Sequence, residues 1–457
     1  MSTSVSVDFP ASSRDKTADE SAGAVAIATM GCKVNTYESE LIRKGVVGRQ
    51  WRVVDFSEPA DLYVINTCTV TREADRQARQ LARRAVKTNP HARVVVTGCY
   101  AQIDPQACAD IPGVDLVLGN DQKLNIDAIL SPPVADGQTI MVGDLDQQVT
   151  IPEQILSGYE GHTRAFVQIQ QGCDQGCTFC IIHVARGPSR SFPPTLVKRQ
   201  VEKLVSNGFR EIVICGVDLG AYGDDFADGG FDLTELLREL AAIEGDFRIR
   251  VSSIDPAHIS DGLIELYRTE PKLCRHIHLS LQSGDSMILK RMKRRYDADH
   301  VRERIQHFRE ACPDLVLGAD IMAGFPTESE QAFEESLRMV DELRIAWPHV
   351  FVYSERDGTP AANIPASKQV PVAQRKARAQ RLREAGESVR RKLLAGKIGL
   401  SERVLVESGG QGRMQGRAGD YTPSALVHGD LRAGDWLDVT YCGLEGNTLI
   451  AEAAGND

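Results

Sequence analysis

The sequence predicts an α/β protein of three units: an N-terminal open parallel α/β sheet, a central partial (β/α)6 barrel and a small C-terminal β-barrel. Three observations predict it. Short runs rich in valine and isoleucine alternate with helical stretches through most of residues 23–397. That alternation is interrupted once, by a stretch with Pro, Gly and Asp at 131–158. After Gly399 the pattern changes to short alternating segments broken by glycine, as in small barrels.

Residues 1–22 lack both a basic start and an apolar core, so they read as a disordered tail and not as a signal or transit peptide. Residues 23–130 hold the apolar runs Ala24–Thr29, Leu62–Ile65, Arg93–Val96 and Asp115–Leu118, read as buried parallel strands. Helical stretches near 36–48 and 72–87 separate the first three. Residues 131–158 read as a linker. In 159–397, six strand candidates alternate with helices such as 194–207 and 233–243. This unit ends in a strongly charged helix, 374–394. Residues 398–457 supply four short strands.

With 457 residues, two or three domains are expected. No apolar run is long enough to span a membrane, and the cytoplasm is the expected location. Eleven cysteines in a reducing interior point to metals, catalysis or the core, not to disulfides. A net charge of −10 argues against a protein that simply coats nucleic acid.

The stretch Gln171-Gly-Cys173-Asp-Gln-Gly-Cys177-Thr-Phe-Cys180 follows directly on a predicted strand. Three soft thiolates this close can grip three irons of a four-iron cube and leave the fourth without a protein ligand. The alternative is a structural zinc site with His183 as fourth ligand. Cys32, Cys68 and Cys99 each end one of the first three strands. Beyond the carboxyl ends of parallel strands, residues far apart in sequence meet. Each alone reads as an inert buried thiol, but the repeated placement predicts a second ligand set. Cys108, Cys215, Cys274, Cys312 and Cys442 share no placement and read as core or surface thiols.

The Cys-x3-Cys-x2-Cys spacing with Phe179 before its last cysteine resembles the signature of the radical S-adenosylmethionine (radical SAM) enzymes. Cys215-Gly216-Val217-Asp218-Leu219-Gly220, in place of the usual Gly-Gly-Glu, resembles the methylthiotransferase branch. Met30-Gly-Cys-Lys-Val-Asn35, Asn66-Thr-Cys-Thr-Val-Thr71 and Gly98-Cys-Tyr-Ala-Gln102 are similar to the group acting on threonylcarbamoyl-adenosine in tRNA. His183 stands where that family usually has proline. The resemblance implies a radical SAM barrel, a C-terminal TRAM domain, S-adenosylmethionine and two [4Fe-4S] clusters. Cys173, Cys177 and Cys180 would hold the cluster that cleaves the cofactor. Cys32, Cys68 and Cys99 would hold an auxiliary cluster that carries the sulfur. It further implies hydrogen abstraction from C2 of the adenine, a tRNA anticodon stem-loop as partner, a reductant such as flavodoxin or ferredoxin, and a sulfur donor.

Barrel enzymes build their sites at the carboxyl ends of the strands. The resemblance implies that Phe179 lies against the cofactor's adenine and that this rim, at Gly216, Asp218, Ser253, Gln282, Ser283 and Asp320, contacts the rest of the cofactor. Candidate cations for a threonylcarbamoyl carboxylate are Lys33, Arg186 and Arg190. Three basic groups suggest a phosphate track: Arg72–Lys87 on one helix face, Lys290–Arg295, and the helix around Arg375–Lys392. The rivals to this reading are a methylthiotransferase of isopentenyl-adenosine or of a ribosomal protein, and a non-catalytic Fe–S RNA-binding regulator.

Overall fold

The computed structural model describes residues 21–132, 138–147, 151, 153–227, 229–410, 413–426 and 431–454. All but the last two residues of the expected tail lie outside them. The first sheet contains β1 (Gly23–Thr29), β2 (Trp51–Val54), β3 (Leu62–Thr67), β4 (Arg93–Gly98), β5 (Leu116–Leu118) and β6 (Thr139–Met141). Its order is β2-β1-β3-β4-β5-β6, parallel throughout. Its centre is made by β3, buried at every residue. The two edge strands escaped the sequence reading. Each lies half in solvent and needs no apolar run: it joins the sheet through backbone pairing to β1 or β5. Thr139–Met141 falls inside the stretch read as a linker, which is thus partly sheet.

The central unit contains β7 (Arg164–Gln168), the short hairpin β8 (Gln170–Gln171) and β9 (Arg190–Ser191), then β10 (Glu211–Cys215), β11 (Arg248–Val251), β12 (His276–Gln282), β13 (Val316–Ala323) and β14 (Ile345–Val352). The parallel triplets β7-β10-β11 and β12-β13-β14 make two halves. Single bridges, Ile249 with Leu273 and Ile254 with Leu279, join the halves into an open six-stranded barrel. The hairpin β8–β9 brackets the central cysteine loop. Helices cover the outside and bury one large apolar core.

The last strands are β15 (Ser401–Gly410), β16 (Arg413–Ala418), β17 (Pro423–Leu426), β18 (Trp436–Glu445) and β19 (Thr448–Ala453). They close into a barrel in the order β15-β16-β17-β19-β18. Glycine and arginine in β16 hid that strand from the sequence reading. This small barrel docks on the amino-terminal foot of the large one. There Glu211, fully buried, accepts from Arg248 Nε at 2.6 Å and Arg250 Nε at 2.7 Å. The same arginines donate onward to the Arg417 carbonyl at 2.9 Å and the Gly419 carbonyl at 3.0 Å. Among the described residues no helix is long and apolar enough to cross a membrane.

Candidate active site

Cys32, Cys68 and Cys99 lie where β1, β3 and β4 end. Cys32 is the N-cap residue of the helix Lys33–Val47, and Cys99 opens the helix Cys99–Ile103. Gly31, at φ +89°, lets the chain turn against Cys68: a Cβ there would stand 2.8 Å from the Cys68 Sγ. Gly98, at φ +97°, has the Thr67 carbonyl 2.5 Å from where its Cβ would be. Both glycines are thus needed to bring the strand ends together. Burial pushes the Cys68 thiol up to about 12, and Cys99 and Cys32 add to it. Thiols this close raise one another, and a metal that replaces their protons relieves both costs.

Cys173, Cys177 and Cys180 lie on the loop after β8. Gly172, at φ +74°, passes so close to the Pro188 carbonyl that a Cβ would meet it at 1.8 Å. Arg294 Nη1 donates to the Cys177 Sγ at 3.2 Å, and the Ile182 amide to the Cys180 Sγ at 3.4 Å. A cation and an amide aimed at sulfur are the surroundings a thiolate ligand needs. Burial pushes Cys173 up to about 12 and Cys180 to about 11. Among the described residues no three His, Cys, Asp or Glu side chains close on one point as ligands of a single ion would. Ligands of a four-iron cube each take a different iron and stand further apart than the ligands of a single ion.

Around the central loop the structure places the expected residues and adds Gln170, Gln175 and Asp255 to them. Asp218 is buried 3.8 Å from the Cys173 Sγ. Its amide and that of Val217 donate to Gln170 Oε1 at 2.8 and 2.9 Å, which fixes the turn at Gly216. Gln175 Nε2 bridges to Asp255 at 3.2 Å, and Arg294 pairs with Asp255 at 2.6 Å. Gln282 sits at φ +67°, and its buried Oε1, like that of Gln175, has no protein partner. Two buried acceptors left open call for a ligand that carries donors. Ser283 is otherwise engaged: its Oγ lies 3.3 Å from Ser336 Oγ. Ser253 is half-buried just past β11. Phe179 packs edge-on to Phe325, with centroids 6.4 Å apart. Asp320 is held by two histidines, with His349 Nδ1 at 2.7 Å and His278 Nε2 at 3.4 Å.

The two triplets share one neighbourhood. The helix Ile182–Arg186, which continues from Cys180, packs on the helix Cys99–Ile103. Asn120 Nδ2 reaches the Ala185 carbonyl at 2.5 Å and the Cys99 Sγ at 3.7 Å. Cys215, which the sequence reading set aside, ends β10 close enough to Cys32 and Lys33 to feel both charges. Gln175 lies within the cysteine motif and Arg294 within the basic group Lys290–Arg295, but nothing local marked Asp255, which their contacts single out.

The basic groups divide. Within Arg72–Lys87, Arg72 pairs with Asp357 at 3.3 Å, Arg76 with Glu73 and Arg79 with the Tyr100 hydroxyl at 2.8 Å. Arg83 and Lys87 are exposed. The helix Val372–Ala395 is mainly a brace. Its Arg378 is buried on Glu328 at 2.7 Å, and its Arg381 pairs with Glu330 and Glu334 at 3.1 and 2.7 Å. Lys290, Lys293 and Arg295 instead line an open cavity of about 630 Å³ beside the central cysteine loop.

Two family models match the chain: the Uncharacterized protein family UPF0004 over residues 24–119 and the Radical SAM superfamily over 167–340. The threonylcarbamoyladenosine tRNA methylthiotransferase MtaB of Rickettsia prowazekii is 42% identical over 84% of this chain and 87% of its own length. That of Bacillus subtilis is 40% identical over 74% and 75%. The tRNA-2-methylthio-N(6)-dimethylallyladenosine synthase of Thermus thermophilus is 36% identical over 73% and 71%. The radical S-adenosylmethionine methyltransferase TsrM of Kitasatospora setae superposes with a TM-score of 0.55 at 13% identity, over 78% of this chain and 84% of that one, so it shares the fold. Two cysteine triplets on adjoining α/β units and relatives matched nearly end to end agree: the chain belongs to the radical SAM methylthiotransferases, among the threonylcarbamoyladenosine tRNA enzymes.

Proposed function

We propose that the protein inserts a methylthio group at C2 of N6-threonylcarbamoyladenosine next to the anticodon of tRNA. In this reading Cys173, Cys177 and Cys180 hold the cluster that binds S-adenosylmethionine, and Cys32, Cys68 and Cys99 hold the auxiliary one. When bound, the clusters and cofactor supply reductive cleavage of a sulfonium bond and a site for sulfur. The chain's own residues do the rest. Gln282 and Gln175 offer the buried acceptors for the cofactor's donors, and Phe179 an aromatic face for its adenine. Gly216, Asp218, Ser253 and Ser283 form the rim around it. Arg294 holds the Cys177 sulfur. A small electron carrier such as flavodoxin or ferredoxin and a sulfur donor complete the system, in the cytoplasm. The C-terminal barrel acts as a TRAM-type RNA-binding module.

The observation that supports the proposal is that the helix after Cys180 packs on the helix opened by Cys99, with Asn120 Nδ2 reaching both the Ala185 carbonyl and the Cys99 Sγ. Cys32 lies near Cys215 at the end of β10, and three residues further on Asp218 touches Cys173. The test is nucleoside mass spectrometry of tRNA from a deletion strain. The methylthio-threonylcarbamoyl nucleoside should vanish and return with the gene. If it persists while the methylthio-isopentenyl nucleoside disappears, the substrate assignment falls and the isopentenyl reading replaces it.

A further inference from the structure

The barrel lumen between the two cysteine triplets is polar in a particular way. Asp320 and His349 are direct partners across β13 and β14, so their side chains share the inner face. His349 Nδ1 sits 2.7 Å from Asp320 Oδ1, and His278 Nε2 lies 3.4 Å from the same oxygen. Room for His278 is made by Gly318 opposite it: a Cβ there would stand 2.5 Å from the ring. Burial works against ionising Asp320, but the two histidines outweigh it and hold its carboxyl well below the usual range. The hydrogen bond to Asp320 in turn raises His349 above an ordinary histidine. That shift favours the imidazolium form of His349, whose Nε2 is turned away from Asp320 and whose side chain is 72% exposed.

Lys33 faces the same space. It follows Cys32, is exposed, and stands close enough to His349, His276 and Cys215 to act on all three electrostatically. Two basic side chains from different units therefore stand near one another, and the Asp320 carboxylate is already committed to the histidines. The other basic candidates are not free in this way. Arg186 is 1% exposed and spends its guanidinium on Glu38 and Asn35. Arg190 donates to the Arg186 carbonyl at 2.9 Å.

We propose that Lys33 and His349, the latter oriented by Asp320, form the subsite that receives the carboxylate of the threonylcarbamoyl group and so set substrate specificity. This rests on the function proposed above. A carboxylate held by an ammonium and an imidazolium makes charge-assisted hydrogen bonds, which a neutral arm cannot offer. An apolar arm would leave both cations unpaired and desolvated, and so would be rejected.

The test measures binding of two anticodon stem-loop RNAs to the anaerobically reconstituted protein. One carries N6-threonylcarbamoyladenosine; the other carries its uncharged threoninamide analogue. Wild type should prefer the carboxylate loop by about tenfold, the size of one or two charged hydrogen bonds. Lys33→Met and His349→Gln should each abolish most of that preference and leave the amide loop's affinity unchanged, with the cluster absorbance retained. His349 lies on β14, in a different unit from Cys32, Cys68 and Cys99, so its variant keeps the test open if Lys33→Met disturbs the auxiliary site. Retained preference in His349→Gln overturns the subsite. A wild-type protein that favours an isopentenyl loop over the threonylcarbamoyl loop overturns the substrate reading itself.

Discussion

Arg186 and Glu38 meet across the boundary between the N-terminal sheet and the barrel. Arg186 Nη1 donates to Glu38 Oε1 at 2.8 Å and Nη2 to Oε2 at 3.0 Å, with both residues almost fully buried. Lys123 binds the same carboxylate. Burial opposes every charge in this triad; the pairing holds Glu38 ionised and Arg186 charged. Arg186 also sits within electrostatic reach of Cys99 and Cys32, five or six residues after the last cysteine of the central loop. The bridge therefore ties the frame of one cysteine triplet to that of the other.

Removing one partner of such a pair strands the other. Arg186→Met should destabilise the protein by about 3–5 kcal/mol, since Glu38 keeps only Lys123. Denaturant unfolding checks this. The double variant Glu38→Gln/Arg186→Met should lose less than the sum of the two single losses, because Arg186 and Glu38 no longer strand each other, although Lys123 is left without its carboxylate. A double variant that loses the sum of the two single losses would mean that the pair is not coupled.

The ligand sets lie on separate units, so their iron contents should separate too. Replacing Cys173, Cys177 and Cys180 with alanine should leave about half the wild-type iron after anaerobic reconstitution. Replacing Cys32, Cys68 and Cys99 should leave the other half. Complete loss of iron from either folded variant would refute two independent sites.

The residues explain what the sequence made legible. Strand-end cysteines could be read because β1, β3 and β4 are built on apolar runs that stop shortly before each cysteine. Edge strands such as Thr139–Met141 carry no such run, since half of each faces solvent. Asp218 was readable from its place after a strand. Asp255 and Arg294 were not, since what makes them matter is a contact 39 residues apart in sequence. The helix Val372–Ala395 misled for a related reason. Its arginines read as a free basic face, yet their carboxylates come from the segment 328–334, a pairing no local pattern encodes.

That correction changes where tRNA contacts are expected. Lys290, Lys293 and Arg295 are exposed around one open cavity, and Lys293 Nζ reaches towards Gly176 in the central cysteine loop. Changing all three to glutamine should weaken tRNA binding and reduce its salt slope by about one unit per lost phosphate contact. Arg381→Gln with Arg391→Gln should leave the slope unchanged, because those guanidiniums are paired with Glu330, Glu334 and Glu387. Binding titrations at several salt concentrations distinguish the two sets. Equal effects would restore the helix as part of the RNA track.

The last prediction concerns how the C-terminal barrel is held. Tyr421 leaves the small barrel at φ +77° and plugs the foot of the large one. Its ring stacks on His276 at 5.1 Å with planes 27° apart, and meets Trp347 edge-on at 6.0 Å. Arg417 lies over it at 4.5 Å and Arg250 at 5.1 Å. One aromatic side chain thus contacts β11, β12 and β14 at once, while Arg250 below it is bound to Glu211. Truncating it removes the stacking and the cation–π contacts of Arg417, Arg250 and Arg164, and opens a cavity beside a buried ion pair. Tyr421→Ala should therefore cost about 3–5 kcal/mol at this junction. Tyr421→Phe should cost much less, because the ring supplies the contacts. Limited proteolysis reads the difference: the alanine variant should be cut between the helix Val372–Ala395 and β15 far faster than wild type, with the phenylalanine variant close to wild type. Equal cutting rates in all three would show that the arginine–carbonyl bonds alone dock the small barrel.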